Sequence, residues 1–368
     1  MRFLVVAITW IAFLGSAHAQ KRLVLIDQDG SGPADSSQMS MMVFLQSPQV
    51  EVLGITMVTG NAWRDEEVQH TLRMLELVGR SDVPVVPGAV FPLIRTQEET
   101  WIEAQIIGKA AWLGAWGRDS ADVAYATGGT AQAAGSHGPW EIPPLPEGSP
   151  KTKPLDEDAA HFLIRQVRAH PREVTIYAAG PLTNIALAVS IDPHFAELTK
   201  GIVIMGGSLN PQTDDAEFAS NPRHEFNFWF DPEAARIALR AGWPRIDVTT
   251  VDISIKAMFT QEMYNAISRS GSPAAQYIAK YATDRYYLWD ELAACAWLDP
   301  SIITKERRAY MDVDVSHGPG YGATLTWDEK LKPAIAVRLV HAQIDLDLPK
   351  FTKMFVDLMS APPVKNPK

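Results

Sequence analysis

Four consecutive apolar residues, Leu23-Val24-Leu25-Ile26, run directly into two acids set two positions apart, Asp27 and Asp29. Such a run reads as a strand buried on both faces, which demands a sheet with layers on either side. At i, i+2 spacing both carboxylates project from the strand's carboxyl end on the same side. Gly30, Gly32 and Pro33 then bend the chain, and Asp35, Ser36 and Ser37 can cap a helix over Met39–Gln46. In open α/β sheets ligands bind in the crevice beyond the carboxyl ends of the strands. Three carboxylates meeting there are costly to bury unless something cationic holds them. Oxygen-only donors on a tight turn suit a hard cation, calcium or magnesium, rather than zinc.

Two other readings compete with a cation site. The plain one is a strand-to-helix turn with acidic caps. The other is phosphoryl transfer, because Asp27-x-Asp29-Gly-Ser resembles the short nucleophile motif of haloacid-dehalogenase-type phosphatases, where the first Asp attacks phosphorus and the second serves as acid and base.

Composition narrows the class. A chain of 368 residues with 46% hydrophobic content can bury a large core, as one big α/β domain or two smaller ones. A net charge of −10 argues against nucleic acid as a partner. The single cysteine, Cys295, excludes an internal disulfide framework, and its apolar surroundings, Leu292–Trp297, read as a buried structural thiol. Arg2, the apolar run Phe3–Gly15 and Ala17-His18-Ala19 form a signal peptide over residues 1–19. The apolar run is too short to span a bilayer comfortably, and no later window does better. The expected mature chain therefore begins near Gln20, is exported to the periplasm or secreted, and does not insert in the membrane.

Along the mature chain, strand and helix patterns alternate. Val50–Val58 is a predicted strand ending at Asn61, on the same rim as the two acids. A helix follows over Asp65–Val78 with Val68, Leu72, Leu75 and Val78 on one face, then a short strand at Val83–Gly88. Residues 92–150 lose the alternation and carry Trp101, Trp112, Trp116, Trp140, His137-Gly138 and a Pro-rich run; this reads as an insertion covering an active site. The alternation resumes with a helix at Asp156–His170, strands at Val174–Ala178, Gly201–Met205 and Arg245–Val251, a polar loop at Ser208–Asn221, and a helix at Tyr286–Leu298. Ala309–Val315, Ala323–Trp327 and Ile335–Val340 have strand composition, with a hairpin among them, before a last helix near Pro349–Met359. The expectation is one α/β domain over residues 20–368: an open, mostly parallel sheet flanked by helices, with a C-terminal mixed or hairpin addition.

Six segments, taken in order, resemble the inosine–uridine-preferring nucleoside hydrolase family. They are Asp27-x-Asp29 with Asp35, Gly54-Ile55-Thr56-x-Val58-x-Gly60-Asn61, Gly180-Pro181-Leu182-Thr183-Asn184, Met205-Gly206-Gly207, Glu225-Phe226-Asn227 before Asp231-Pro232-Glu233-Ala234, and Asp290 opening an Ala-rich helix to Leu298-Asp299-Pro300. The phosphatase reading explains none of the later five. The resemblance implies removal of the base from ribonucleosides, with calcium at the strands' carboxyl ends and association into homo-oligomers. It implies that Asp29 binds calcium and takes a proton from the attacking water, with Asp27 as its buttress. Calcium ligands would be Asp29, Ser36, the backbone carbonyl of Ala179, and Asp290. Asp35, Asn61, Asn221, Glu225 and Asn227 would hold the ribose, with His137 and Trp289 near the base. The chemistry suits these residue types: an oxocarbenium-like sugar is stabilised by surrounding carboxylate and amide oxygens, and an adjacent Asp takes the water's proton.

Two departures from the family's pattern stand out. Ser36 occupies the place of a second aspartate, which predicts weaker calcium binding because affinity tracks the number of charged ligands. Trp289 occupies the place of a histidine suited to protonating the leaving base; an indole stacks on a base but donates no acid proton. The same two departures fit an exported nucleoside- or ribose-binding protein that has lost turnover.

Overall fold

Strand β1 (Arg22–Gln28) lies in the interior of the sheet, third from one edge, with Val24, Leu25 and Ile26 inaccessible to solvent. This is what an uninterrupted apolar run requires when layers cover both of its faces. The computed structural model describes residues 21–108, 110, 112–118, 137–221, 223–282 and 286–364. The expected signal peptide lies outside these. No helix among the described residues is long and apolar enough to cross a membrane.

The remaining strands are β2 (Val50–Met57), β3 (Val85–Pro87), β4 (Val174–Ala178), β5 (Gly201–Met205), β6 (Ile246–Thr249), β7 (Ile303–Val313), β8 (Thr324–Trp327) and β9 (Arg338–Leu346). Their order across the sheet is β3-β2-β1-β4-β5-β6-β9-β7-β8. The pairs from β3 to β9 are parallel, whereas β7 pairs antiparallel with both β9 and β8. The sheet is thus open and mostly parallel, and the expected C-terminal hairpin is β7-β8. The strand composition at Ile335–Val340 belongs to β9, which starts later and inserts between β6 and β7. The chain runs outward from β1 to β3 and returns to lay β4 on the other side of β1. That reversal opens a crevice at the carboxyl ends of β1 and β4, the usual ligand position in such sheets.

Two apolar layers sandwich the sheet. One holds the helix Ser36–Leu45, the helix Arg64–Leu77 and the helix Trp289–Leu298; Val68, Leu72, Leu75, Val78 and Cys295 are all buried there. The other holds the helices Ala159–Ala169, Thr183–Ile191 and Pro232–Arg240. Asp35 caps the first helix, its Oδ1 accepting from the Gln38 N–H at 2.8 Å. Two helices without expected counterparts, Gln261–Ser268 and Pro273–Tyr281, carry ordinary start signals, Thr260 and Ser272-Pro273.

The β1–β2 pairing contains an irregularity that matters downstream. Val24 faces Val52, but Leu25 faces Gly54, so Leu53 is an extra residue in β2. The shift brings Thr56 opposite Asp27. Asn184 fastens the same region from below: its Nδ2 donates to Asp27 Oδ1 at 2.7 Å and to the Met57 carbonyl at 3.2 Å, while its Oδ1 accepts from Ala89 N–H at 2.8 Å. Replacing Asn184 with Ala leaves several buried polar groups without partners. The expected cost is about 2–4 kcal/mol of stability, read by chemical denaturation; a change within 0.5 kcal/mol, roughly that of a neutral surface substitution, would contradict this account of the tie.

Candidate active site

Three consecutive residues at the end of β1 build the floor of the crevice. Asp27 is fully buried; its Oδ1 accepts from Thr56 and Asn184, and its Oδ2 has no partner among the described residues. Gln28 turns toward the helix Ser36–Leu45, and its Nε2 donates to Ser40 Oγ at 2.9 Å and to Asp290 Oδ2 at 3.1 Å. Its Oε1 accepts from the Asp29 N–H at 3.1 Å, so one amide spans from Asp29 to Asp290. Asp29 is also fully buried: Oδ2 accepts from the Asn61 N–H at 3.1 Å, and Oδ1 has no partner among the described residues.

Above this floor lies a cavity of about 540 Å³, a volume suited to a small ligand. Its polar wall contains Asp35, Ser36, Asn61, Glu225, Asn227 and Asp290, together with Ala179. Its apolar wall contains Trp112, Phe218, Phe226, Tyr287 and Trp289. The Trp289 ring packs against Phe218 and Tyr287 with centroids 5.6 and 5.1 Å apart, so its plane is held from two sides. Glu225 is tied by backbone donors, Gly207 N–H at 2.9 Å and Asn227 N–H at 2.8 Å. Asn61 accepts at Oδ1 from Trp112 Nε1 at 2.8 Å. That bond brings the Trp-rich insertion onto the site, as its composition suggested.

The electrostatics are one-sided. No Lys or Arg is among the described residues lining the cavity. Burial, then the charges of Asp290 and Asp35, push the Asp29 carboxyl well above its usual range. Burial likewise raises Asp27, Glu225 and Asp290 to about 7, against partly compensating hydrogen bonds. A crowd of carboxyls held this way is stable only protonated or around a cation.

Several residues singled out in the sequence meet here: Asp27, Asp29, Asp35, Ser36, Asn61, Ala179, Glu225, Asn227, Trp289 and Asp290. Asp35 spends its oxygens on the helix cap and on Gly32 N–H at 3.0 Å and Ser31 Oγ at 3.2 Å, while still forming part of the wall. Asp27 and Asp29 lie in the floor and are not among the lining residues, and two more do not reach the lining. Asn221 is exposed and turned toward the His224 ring. His137 is buried beneath the insertion, where its Nε2 meets Glu66 Oε2 at 3.1 Å and its carbonyl accepts from Trp63 Nε1 at 3.0 Å. Conversely, Phe218, Tyr287 and Glu217 line the cavity without having been singled out. The aromatic character of Phe218 and Tyr287 was the signal available.

The donors fit a hard cation. Among the described residues no three or more His, Cys, Asp or Glu side chains converge as a metal nest. The expected ligand set has only two carboxylates, Asp29 and Asp290, with the Ser36 hydroxyl and the Ala179 carbonyl, all oxygen donors of the kind a hard cation takes. The unpartnered Oδ1 of buried Asp29 is the observation that asks for a cation rather than another hydrogen-bond donor.

An open, mostly parallel sheet with an acidic, aromatic-walled cleft at its switch point is the small-ligand site of an α/β protein. The family model described as inosine-uridine preferring nucleoside hydrolase matches residues 24–353, and the chain belongs to that family of N-glycosyl hydrolases. It is 29% identical to a probable uridine nucleosidase 2 of Arabidopsis thaliana, over 78% of this chain and 81% of that one. It is 30% identical to the pyrimidine-specific ribonucleoside hydrolase RihA of Citrobacter koseri, over 70% and 69%. A solved plant nucleoside hydrolase is similar across 93% of this chain and 99% of its own, with a TM-score of 0.69 and 26% identity.

Gly60 sits close enough to Asp29 that an added Cβ would lie 2.1 Å from Oδ2. Gly60→Ala is therefore expected to displace the Asp29 carboxylate and slow nucleoside hydrolysis by about 10²-fold, the usual cost of misplacing a reacting group by about 1 Å. Steady-state kinetics on the folded variant check this; parent-like rates would show that Asp29 has room to move.

Proposed function

We propose that the chain cleaves the N-glycosidic bond of ribonucleosides to ribose and free base, with Asp29 as general base beside a calcium ion. The observation that carries this reading is the buried, unpartnered Oδ1 of Asp29, whose carboxyl feels the charge of Asp290 beneath a cavity lined by ribose-competent polar groups and flat aromatic rings. Asp29, Asp290, Ser36 Oγ and the Ala179 carbonyl would hold the ion. When bound, calcium would orient the vicinal hydroxyls and lower the pKa of water at the site.

The chain's own groups then have distinct tasks. Asp29 takes the proton from water approaching the anomeric carbon, help worth about 10²–10⁴-fold. Asp27 stands two residues before it, held by Thr56 and Asn184, while Gln28 Oε1 accepts from the Asp29 N–H and keeps its backbone in place. Glu225, Asn227 and Asn61 bind the sugar and supply oxygens to the charge developing on the ring. Trp289, braced by Phe218 and Tyr287, stacks on the leaving base. Uridine and inosine are the first substrates to test, given the relatives' activities. We further propose that residues 1–19 direct export, that residues 20–368 form one domain, and that the protein scavenges nucleosides outside the cytoplasm.

The direct test is release of base and reducing sugar from a nucleoside panel in the presence of calcium; no release from any member would reject the reading. Asp29→Asn is expected to abolish turnover, at least 10²-fold, while its melting temperature holds because the change keeps the side chain's shape. Near-normal activity in that variant would remove Asp29 from its role.

A pH effect follows from the raised carboxyls. In the metal-free protein Asp27, Glu225 and Asp290, at about 7, lie above their unfolded values near ~4. Their contribution to stability is complete below the unfolded value and is lost as pH rises through about 7. A divalent ion binds the ionised form and reverses the loss. Calcium should therefore raise the melting temperature more at pH 8 than near pH 5; equal increments in differential scanning fluorimetry would count against a cation held by these groups.

A further inference from the structure

Glu217 lines the cavity beside its aromatic wall, and the reaction proposed above gives it no task. It lies in the first turn of the short helix Ala216–Ser220, capped by Asp215, whose Oδ1 accepts from the Glu217 N–H at 3.0 Å. Its neighbour Phe218 is buried and packs against the Trp289 ring, the surface on which the base stacks. Tyr287, on the other side of Trp289, feels the charge of Glu217. The carboxyl of Glu217 is thus set next to the stacked base, whereas Asp29 lies in the floor. Among the described residues it has no hydrogen-bond partner.

Breaking a bond to a nitrogen base leaves an electron pair on that base, and a proton delivered there eases its departure. Other polar groups of the lining are engaged elsewhere. Both oxygens of Asp35 accept, from Gln38 N–H on one side and from Gly32 N–H and Ser31 Oγ on the other. Both oxygens of Glu225 accept from backbone N–H groups, of Asn227 on one side and of Gly207 and Phe228 on the other. Tyr287 donates its hydroxyl to Asp215 Oδ2 at 3.1 Å, and Trp112 its Nε1–H to Asn61. Tyr281 and Tyr286 also line the cavity, but a phenol, at a pKa of ~10, is a weaker acid than a carboxyl. Glu217 meets solvent at the mouth of the cavity. Lost hydration on its protein side, then the charges of Asp215 and Glu225, raise its carboxyl to about 7, which suits an acid working near neutral pH.

We propose that Glu217 is the proton donor to the departing base: from beside the ring stacked on Trp289, its carboxyl hydrogen-bonds a ring nitrogen or carbonyl oxygen of the base and hands over its proton as the glycosidic bond breaks. The electron pair of that bond and the Glu217 proton both go to the base. The oxygen of water bonds to the anomeric carbon, and Asp29 takes the water's proton. One water is consumed, and exchange with solvent returns Asp29 to its ionised form and Glu217 to its protonated one. This role rests on the proposed hydrolysis and supplies the acid that Trp289 cannot.

The leaving group separates an acid from a mere piece of wall. Glu217→Gln keeps the side chain's shape and removes the acidic proton; since the residue meets solvent, the melting temperature should hold. With the full mature protein and calcium, kcat on inosine and uridine is expected to fall about 10²-fold or more, with KM changed by no more than about threefold. The para-nitrophenyl riboside releases a stabilised phenolate that needs no proton, so its kcat in the same variant should stay within about threefold of the parent's. That split supports the role, because a displaced wall would slow all three substrates alike. Equal loss on the three, or parent-like rates on inosine and uridine, overturns it. So does a leaving-group-dependent loss that appears in Tyr281→Phe or Tyr286→Phe instead of Glu217→Gln. If the parent cleaves none of the three, the hydrolase reading itself fails, an outcome distinct from these.

Discussion

Mutual repulsion among buried carboxyls is the constraint around which this molecule is arranged. Asp27, Asp29, Glu225, Asp290 and Glu291 come from three separated parts of the chain, and all are withdrawn from water. Like charges in a medium of low polarisability raise one another's pKa steeply. The surrounding structure answers with neutral donors instead of lysine or arginine. Gln28, Asn184, Thr56 and backbone N–H groups of Asn61, Gly207 and Asn227 take up individual oxygens without cancelling the net charge. The result is a concentrated negative field with a few oxygens left bare, which is the condition for gripping a small hard cation strongly.

The insertion after β3 completes the site from above and is itself anchored at several points. Trp112 reaches Asn61, while His137 and Glu147 meet Glu66 and His70 on the helix Arg64–Leu77. His70 is held protonated at about 9: burial opposes its charge, but Glu147 and Glu66 outweigh that. His70 also packs against Gly32, next to the Asp35 cap. The covering segment and the acidic turn therefore share a support, so the loop over the cavity is positioned by the same helix that flanks β1.

Much of this was legible in the sequence because it depends on local pattern. An apolar tetrapeptide feeding Asp27 and Asp29 can only be a strand with both faces covered, and its carboxyl end locates the crevice. The positions carried by resemblance, Asn61, Ala179, Glu225, Asn227, Trp289 and Asp290, meet at the cavity because each lies at the end of a strand or the start of a helix. Asn221 and His137 sit in stretches with no periodicity to fix their direction, and the structure turns both away from the lining. Glu291 was invisible for another reason. It is buried against a partner 255 positions distant, and nothing in an Ala-rich helix signals which face its one glutamate will bury.

The extra residue in β2 has a consequence for how such an active site can change over time. Because Leu53 is absorbed before the rim, Thr56 rather than Ile55 confronts Asp27. Alternate residues of a strand look to opposite faces. Pairing Leu53 regularly instead would present the aliphatic Ile55 to a carboxyl that now has a hydroxyl donor. Point changes in the apolar half of β1 and β2 can be absorbed by repacking, but an insertion or deletion between the bulge and the rim re-addresses every group at the rim. The lineage of this hydrolase is thus freer to vary the letters of its central strands than their count.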